Sequence, residues 1–515
     1  MRSLSFRVTA LTMVLSSAPL AALRGTPLVA QGQGPRPVPA EIARAVDSLS
    51  ARIVTDGITP GFGVAVVMDG KTIFAKSYGY ADATNGVKAD GRTLWYLAST
   101  SKSYTGFGTA LLAQQGVVRF DQSIAELVPR AEWYPGVDPS TLTLAQFLSH
   151  THHLNDNAVV MSAAFTGEIR EERWPQLARY ARPTGNADLV YSNFGYNVAA
   201  MVIDAKRPEG WRRFLDSAVY TPAGMRETYA RVSGLDRRRI AMPHDLTADG
   251  VHVTSPFFKT DATMNSAGGH LASLHDLARW TIVQMDGGGV IDGKRVFPAV
   301  AVSLSHEMIA PHTVEASKRF GYFVRDGWAA GWDIGNYEGE PMVSRFGGYM
   351  TIRSHLSMLP RRRIGVVAQA TGTGSGSATD IVAALAYDLE AGRSNARQVA
   401  TTRVNELAAR RALGLRQIAA SDSVRRARQR PMDRSLADFA GTYANDAYGT
   451  VTLTLRDERL QFIWGAIYSP AEVYDAGKRQ LRVEVAGNGN VVSFDFGDSG
   501  PARSFTMMGE TFTKR

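Results

Sequence analysis

The 515-residue chain contains no cysteine. Disulfides, thiolate nucleophiles, cysteine-rich zinc sites and lipid anchoring through a cysteine are thereby excluded. Acidic residues are missing from the first 30 positions, which carry Arg2, Arg7 and Arg24. Arg2 and Arg7 lead into a 16-residue apolar stretch, Val8 to Leu23. A membrane span needs about 18–20 such residues, and no stop-transfer pattern follows. The segment therefore reads as an export signal over residues 1–30, cleaved after Ala30, with Gln31-Gly32-Gln33-Gly34-Pro35 as the mature start. No later stretch is apolar and long enough to cross a membrane. Periplasmic or secreted localisation is the expectation, and the lack of a stray thiol suits it.

Charged residues make up only 20% of the chain against 44% hydrophobic, which excludes disordered and collagen-like classes. The net charge of +9 invites a nucleic-acid reading, but the basicity is local. Residues 393–434 hold eleven arginines against Glu406, Asp422 and Asp433, and the N-terminal segment supplies three more. The rest is close to neutral, so the basic stretch is a solvated helical linker and nucleic acid is not an expected partner. The Gly/Ser run Thr371–Ser377 lacks the lysine of a phosphate loop. No G-x-S-x-G elbow occurs, which disfavours an α/β-hydrolase.

Length alone predicts more than one domain. Val64-Ala65-Val66-Val67 and Thr72-Ile73-Phe74-Ala75 flank Asp69-Gly70, a hairpin signal. A second strand pair is expected at Ser354–Met358 and Ile364–Ala368, joined through Pro360-Arg361-Arg362-Arg363. Strands at both ends with helices between predict one antiparallel sheet flanked by helices, plus a helical lobe, over residues 31–392. An Arg-rich helical linker follows at 393–434, ending around Pro431. Residues 435–515 alternate with period two at Val451–Leu455, Leu481–Val485 and Val492–Phe496, with Gly487-Asn488-Gly489 as one turn, so a small all-β barrel or sandwich is expected.

Two short motifs carry chemistry. Ser99-Thr100-Ser101-Lys102 is an S-x-x-K tetrad. If it opens a helix, residues three apart share a face and the Lys102 amine reaches the Ser99 hydroxyl. Burial and the positive end of the helix dipole both disfavour the charged amine, leaving a proton acceptor. Unpaired at the helix start, the Ser99 N–H can serve as an oxyanion donor. Ten lysines and typical serine usage give about 0.7 such tetrads by chance, so the motif alone is weak. Tyr191-Ser192-Asn193 adds a tyrosine whose hydroxyl, beside a cation that favours its phenolate, can shuttle protons, and an amide that can bind substrate. Tyr443-Ala444-Asn445 repeats the pattern inside the barrel region.

Together, in this order, the motifs resemble the serine β-lactamase and penicillin-binding protein superfamily, in its class C β-lactamase and D-Ala-D-Ala carboxypeptidase branch. Leu148-Ser149-His150-Thr151, Pro222-Ala223-Gly224-Met225, Ala267-Gly268-Gly269 with Asp276-Leu277-Ala278, and the strand after Arg345 extend the resemblance over about residues 40–390. The C-terminal region is similar to the lipocalin-like domain often appended to such hydrolases. The resemblance implies Ser99 as nucleophile, Lys102 and Tyr191 as general base and acid, and Asn193 and Arg345 in substrate binding. The Ser99 and Gly348 amides would form the oxyanion hole, and neither metal nor organic cofactor is needed. The family's third motif, Lys-Thr-Gly or His-x-Gly, becomes Arg345-Phe346-Gly347. Arginine keeps the charge but cannot exchange protons, which suits carboxylate binding. Phe346 lacks a hydroxyl for the substrate carboxylate, putting efficient β-lactam turnover in question.

His150-Thr151-His152-His153 replaces the His-Thr-Ser-Gly of relatives. Three histidines in four residues suggest zinc, yet no convergent ligands are marked and Asp156 comes too late, so the cluster reads as a pocket wall or helix entry. His270, beside Gly269, reads as a packed or exposed histidine. The expected function is an exported serine hydrolase acting through an acyl-enzyme on a D-amino-acid peptide, β-lactam or carboxylic ester. Small-molecule or peptide substrates are the expected partners, peptidoglycan-derived ones among them. The alternative is a non-catalytic cell-envelope peptide- or glycan-binding protein on the same scaffold.

Overall fold

The computed structural model of the chain describes residues 38–515 apart from 186–190, 257, 286, 292, 318–320, 374 and 429–431. The export-signal reading and the Pro431 end of the linker lie outside the described residues. The chain folds as two units that divide between Asp422 and Ser423.

The first unit is built on a nine-stranded antiparallel sheet. Its strands are β1 (Gly61–Met68), β2 (Lys71–Asp82), β3 (Val87–Lys88), β4 (Ala310–Pro311), β5 (Phe323–Trp328), β6 (Asp333–Tyr337), β7 (Glu340–Tyr349), β8 (Ile352–Leu359) and β9 (Ile364–Thr371), in the order β4-β5-β6-β7-β8-β9-β1-β2-β3. The Asp69-Gly70 hairpin forms as its sequence dictates: φ is +50° and +72° at the two residues, the left-handed pair that a two-residue turn between right-twisted strands requires. The pair joined by Pro360–Arg363 also forms, with Arg363 at φ +56°. β1 pairs with β9 from Gly61↔Thr371 to Met68↔Ile364, so early and late strands do close one sheet. Every residue of β1 and β9 is buried, which explains the unbroken apolar run of β1 and the Ile364–Ala368 run of β9; the polar Gln369 and Thr371 of β9 are buried as well, Gln369 donating to Ser354 Oγ at 2.9 Å.

Helices cover both faces. α1 (Pro39–Thr55) begins on a proline whose missing N–H costs nothing at a helix start, and it buries Ile42, Val46, Leu49 and Ile53. With the later helix Ala378–Glu390 it closes a core around Val64, Val66, Ile364 and Val366. The opposite face of the sheet carries Ala65, Val67, Leu356 and Val367 into a larger core with helix Leu274–Met285 and the helical lobe. Each buried Leu, Ile or Val contributes about 1.5–3 kcal/mol to that core. α2 (Lys102–Gln114) is buried along nearly its whole length there, which fixes its first residue rigidly. A short ladder, Trp95–Tyr96 with Leu271–Ala272 and Thr228–Tyr229, delivers the chain to the turn before α2.

A 32-residue helix, Ala396–Ala427, carries the arginine-rich sequence. Ala396, Ala400, Val404 and Leu407 form its buried stripe, and the remainder is largely polar. The second unit contains a closed eight-stranded antiparallel barrel from Gly441–Asn445 to Glu510–Lys514. Rings of Phe439, Tyr443, Phe494, Phe505 and Phe512 pack edge to face or stacked inside it, as expected for a barrel of this size filled by its own side chains. No helix among the described residues is long and apolar enough to cross a membrane.

Candidate active site

Ser99 stands in a 3₁₀ turn, Ala98–Ser101, that runs directly into α2 at Lys102. With three residues per 3₁₀ turn, Ser99 and Lys102 eclipse, which brings hydroxyl and amine together more tightly than an α-helical start would. Ala98 holds φ at +46°, a strained value for a non-glycine residue immediately before the serine. Lys102 Nζ is 3.1 Å from Ser99 Oγ, 2.7 Å from Asn193 Oδ1 and 2.6 Å from the Ala267 carbonyl oxygen. Tyr191 donates its hydroxyl to Ser99 Oγ at 2.6 Å. Two motifs 92 residues apart in sequence thus meet at one oxygen.

Burial, and next the charge of Arg345, hold the Lys102 amine well below the ordinary lysine range, with Asp333 opposing. Burial also raises Tyr191, against the pull of Arg345 and of the Ser99 hydrogen bond. The free site therefore favours the neutral amine that burial leads one to expect at Lys102, and beside it a neutral phenol in place of the phenolate that a neighbouring cation would favour. Proton counting agrees. A neutral amine has two N–H groups and one lone pair. Asn193 Oδ1 and the Ala267 carbonyl can only accept, so they take the two N–H groups. The lone pair is left for the Ser99 hydroxyl, while Tyr191 donates to the other side of the same oxygen. A base and an acid share the serine, and the arrangement can pull a proton from it and deliver one beside it.

β7 crosses the 3₁₀ turn. Thr100 Oγ1 donates to the Arg345 carbonyl at 3.2 Å, and a Cβ added at Gly347 would lie 2.1 Å from the Leu97 carbonyl oxygen and 3.0 Å from the Ser99 nitrogen. β6 stops pairing at Asp333↔Ser344, so among the described residues 345–349 have a strand neighbour only on the β8 side. Gly348 lies on that half-open stretch. An amide there can face a ligand instead of a ladder partner.

Arg345 differs from its expected form. It is 1% exposed and already engaged: Nη1 lies 3.5 Å from Asp333 Oδ1, Nε donates to the Ser99 carbonyl at 3.3 Å, and Nη2 donates to the Tyr191 hydroxyl at 3.4 Å. A guanidinium buried in this way is engaged by its counter-ion, and freeing it for a substrate carboxylate would take from buried Asp333 the nearer of its two cations, leaving only Arg325 at 4.0 Å. Phe346 points to the other side of the strand, packed against His355 at 4.6 Å and under the guanidinium of Arg325 at 4.5 Å. Strand alternation explains both, since 345 and 347 face the turn and 346 faces away.

Two of the three clustered histidines are wall and core, and His153 is exposed. His150 packs between the rings of Tyr191 and Trp328, each 4.6 Å away, and its Nδ1 accepts from the Ser192 amide at 3.2 Å. His152 stacks on Phe147, and Asp156 caps the helix that begins at Asn157, its carboxyl pushed up by burial to about 7. His270 is enclosed by Tyr104, Trp211 and Tyr220, and burial pushes it down to about 3. Sequence reasoning missed Asp333, Trp328 and the carbonyl of Ala267, although Ala267-Gly268-Gly269 was marked as a motif. It also missed a Ser357–His355–Asp380 series, with His355 Nε2 2.6 Å from Ser357 Oγ and Nδ1 2.7 Å from Asp380. Ser357 is fully buried and bonded to the Tyr387 hydroxyl at 2.7 Å, so this second serine has no access to substrate.

Comparison with known proteins agrees with the geometry. Residues 44–390 match the Beta-lactamase family. Protein flp of Staphylococcus aureus is 21% identical over 324 residues, which cover 62% of this chain and 61% of that protein. The match to flp thus spans less than two thirds of that relative's length. Penicillin-binding protein 4 of Amycolatopsis lactamdurans is 25% identical over 342 residues, 65% of this chain and 86% of that one. The octameric penicillin-binding protein homologue from Pyrococcus abyssi shares the fold with a TM-score of 0.58 at 17% identity, over 91% of this chain and 99% of the other. The chain belongs to the beta-lactamase family of serine hydrolases.

Proposed function

We propose that the chain hydrolyses a carboxylic amide or ester through an acyl-enzyme on Ser99, and that its substrates carry no free carboxylate beside the scissile bond. The observation that carries this reading is the placing of Ser99 Oγ within hydrogen-bond reach of both Lys102 Nζ and the Tyr191 hydroxyl, 3.1 and 2.6 Å. Ser99 gives its proton to Lys102 as its oxygen bonds to the carbonyl carbon. The Ser99 and Gly348 amides hold the oxyanion, and Asn193 orients lysine and substrate together. The carbon–nitrogen or carbon–oxygen bond then breaks, and the leaving amine or alcohol takes a proton back from the Lys102/Tyr191 pair. Water repeats the attack and frees the acid.

Substrate class follows from the third motif. A β-lactam or a D-Ala-D-Ala peptide presents a carboxylate next to the scissile bond. Arg345 is committed to Asp333, and Phe346 offers no hydroxyl and faces away. Neutral D-amino-acid amides and carboxylic esters suit such a site better. The N-terminal sequence supports action outside the cytoplasm, where peptidoglycan-derived amides would be available; a mature protein beginning at Gln31 in the exported fraction is the expected finding.

Intact-protein mass spectrometry tests the chemistry. Wild type and Ser99→Ala are mixed with a penicillin, a fluorophosphonate and an activated acyl ester. Expected are a stable adduct from the fluorophosphonate, a transient one from the ester, and a slow one from the penicillin, all absent in Ser99→Ala. Well-folded wild type that takes no label from any reagent would overturn the assignment in favour of a non-catalytic binding protein.

A further inference from the structure

Tyr191 brings its hydroxyl to Ser99 from a stretch that belongs to no helix or strand, two residues before Asn193, the N-cap of the helix Phe194–Lys206. Its aim must therefore come from tertiary contacts. His150 makes two of them. Its Nδ1 accepts the Ser192 N–H at 3.2 Å, and its ring lies 4.6 Å from the Tyr191 ring at an interplanar angle of 35°. One side chain thus holds the tyrosine through its ring and through the peptide that follows it.

His150 is itself firmly seated. It follows the helix Leu144–Leu148 and the capping Ser149, and its φ is +61°, a left-handed value that a histidine adopts at some cost. The helix Phe194–Lys206 presses on the same corner. A Cβ at Gly195 would stand 2.2 Å from the Phe147 carbonyl oxygen, and the Tyr196 hydroxyl donates to the Leu148 carbonyl at 2.8 Å. Trp328 backs the imidazole at 4.6 Å. These contacts allow one protonation state. The Ser192 N–H can only donate, so Nδ1 carries a lone pair and the proton sits on Nε2. Burial, with the charges of Arg345 and Lys102, holds the ring neutral. Nε2 is buried and has no hydrogen-bond partner among the described residues, so the imidazole's one polar commitment is to Ser192.

We propose that His150 is a positioning residue for acyl transfer: by accepting the Ser192 N–H it sets the Tyr191 hydroxyl against Ser99. The inference rests on the acyl-enzyme reading of Ser99 and adds to it the group on which the tyrosine's aim depends. A wall residue needs only the ring, whereas a positioning residue needs the acceptor at Nδ1. Losing that acceptor frees the backbone beside Tyr191, and an ångström of misplacement costs about 10²-fold in rate.

Two amide variants separate these roles. In His150→Asn the side-chain oxygen falls where Nδ1 stands, and asparagine tolerates the left-handed backbone. In His150→Gln the oxygen lies one bond further out, toward the place of Nε2. On an activated ester, kcat should stay within about ten-fold of wild type for Asn and fall about 10²-fold for Gln, with KM within about three-fold for both. In a Tyr191→Phe background Gln should cost no more than Asn, because no hydroxyl remains to be aimed. Equal losses in the two variants, a loss confined to KM, or a Gln penalty that persists without the Tyr191 hydroxyl overturns the proposal. Wild-type protein tests the bond without any substitution. With serine and histidine 15N-labelled, NMR should show a coupling between the Ser192 amide and His150 Nδ1, and a protonated Nδ1 refutes the assignment. Wild type that turns over no ester and takes no fluorophosphonate label refutes the acyl-enzyme reading and this inference with it. Labelled wild type with the wrong variant pattern refutes the inference alone.

Discussion

Replacing Gly347 with alanine isolates the seating of β7 on the turn that carries Ser99. The glycine's φ is not in the left-handed region, so an alanine meets no backbone strain and the whole effect is steric. The new Cβ would stand 2.1 Å from the Leu97 carbonyl oxygen, where an unstrained contact needs at least about 3 Å. Both partners are backbone, so strand and turn must separate by about an ångström. Overpacking of this sort costs about 1–3 kcal/mol of stability. For catalysis the same displacement parts the Ser99 and Gly348 amides. An ångström of misplacement, or the loss of one oxyanion donor, each costs about 10²-fold or more. Gly347→Ala should therefore be labelled by a fluorophosphonate about 10²–10³-fold more slowly than wild type, measured by time-resolved intact mass. Its melting temperature should fall by only a few degrees. Gly91→Ala is the control, since a Cβ there meets nothing within 4 Å. Labelling of Gly347→Ala within two-fold of wild type, at an unchanged melting temperature, would refute the oxyanion geometry described for β7.

Tyr191→Phe removes the hydroxyl that donates to Ser99, and steady-state kcat on an activated ester should drop by about 10²–10⁴; an unchanged rate would assign the proton relay elsewhere. Asp333→Asn deletes the negative charge that supports protonated Lys102, so the lysine falls further and the acid limb of kcat/KM moves to lower pH; a limb that stays or moves upward contradicts the charge arrangement. His270 is held neutral by burial at about 3, against about 6.5 when unfolded. Its stability contribution is complete above pH 6.5 and is lost as pH falls, reaching about 2 kcal/mol at pH 5. Urea titrations at pH 7 and pH 5 should show His270→Phe losing about 2 kcal/mol less than wild type between the two, whatever the swap does to packing; equal losses would show that His270 is protonated in the fold.

Much of the scaffold was legible because it obeys local rules. Asp69-Gly70 and Pro360–Arg363 each mark a turn between apolar runs, and period-two alternation at Leu481–Val485 sets inward and outward faces of a barrel strand. The strands at Phe323–Trp328 and Asp333–Tyr337 were not legible. Gly, Asp, Asn and Arg interrupt them, and their sheet position comes from pairing with β7 instead of from propensity. In the site, Ser99, Lys102, Tyr191 and Asn193 were readable as motifs, whereas Asp333 is an isolated acid with no spacing to betray it. The Ala267 contribution is a backbone carbonyl, which any residue could have supplied. The charge states of Lys102 and Tyr191 depend on burial and on Arg345, which only the folded chain provides.

The two departures in the third motif are one structural decision. An arginine at 345 is longer than lysine and always charged, so burying it beside Ser99 requires an acid of its own; Asp333 sits at the first residue of β6, where the strand begins to pair with Ser344. With Asp333 placed there, Arg325 also approaches it, at 4.0 Å, and lays its guanidinium over Phe346. A threonine at 346 would leave Arg325, Phe323 and His355 without their common packing partner. The phenylalanine is thus what the far face of β7 demands once the near face carries the Arg345–Asp333 pair. Burial first, and then the fixed charge of Arg345 against the opposing Asp333, keep Lys102 available as a base, where a mobile cation would instead reach for substrate. On the proposed function, the residues that keep Lys102 deprotonated are the same ones that leave no free cation for a substrate carboxylate, so both proposed properties would rest on a single set of contacts.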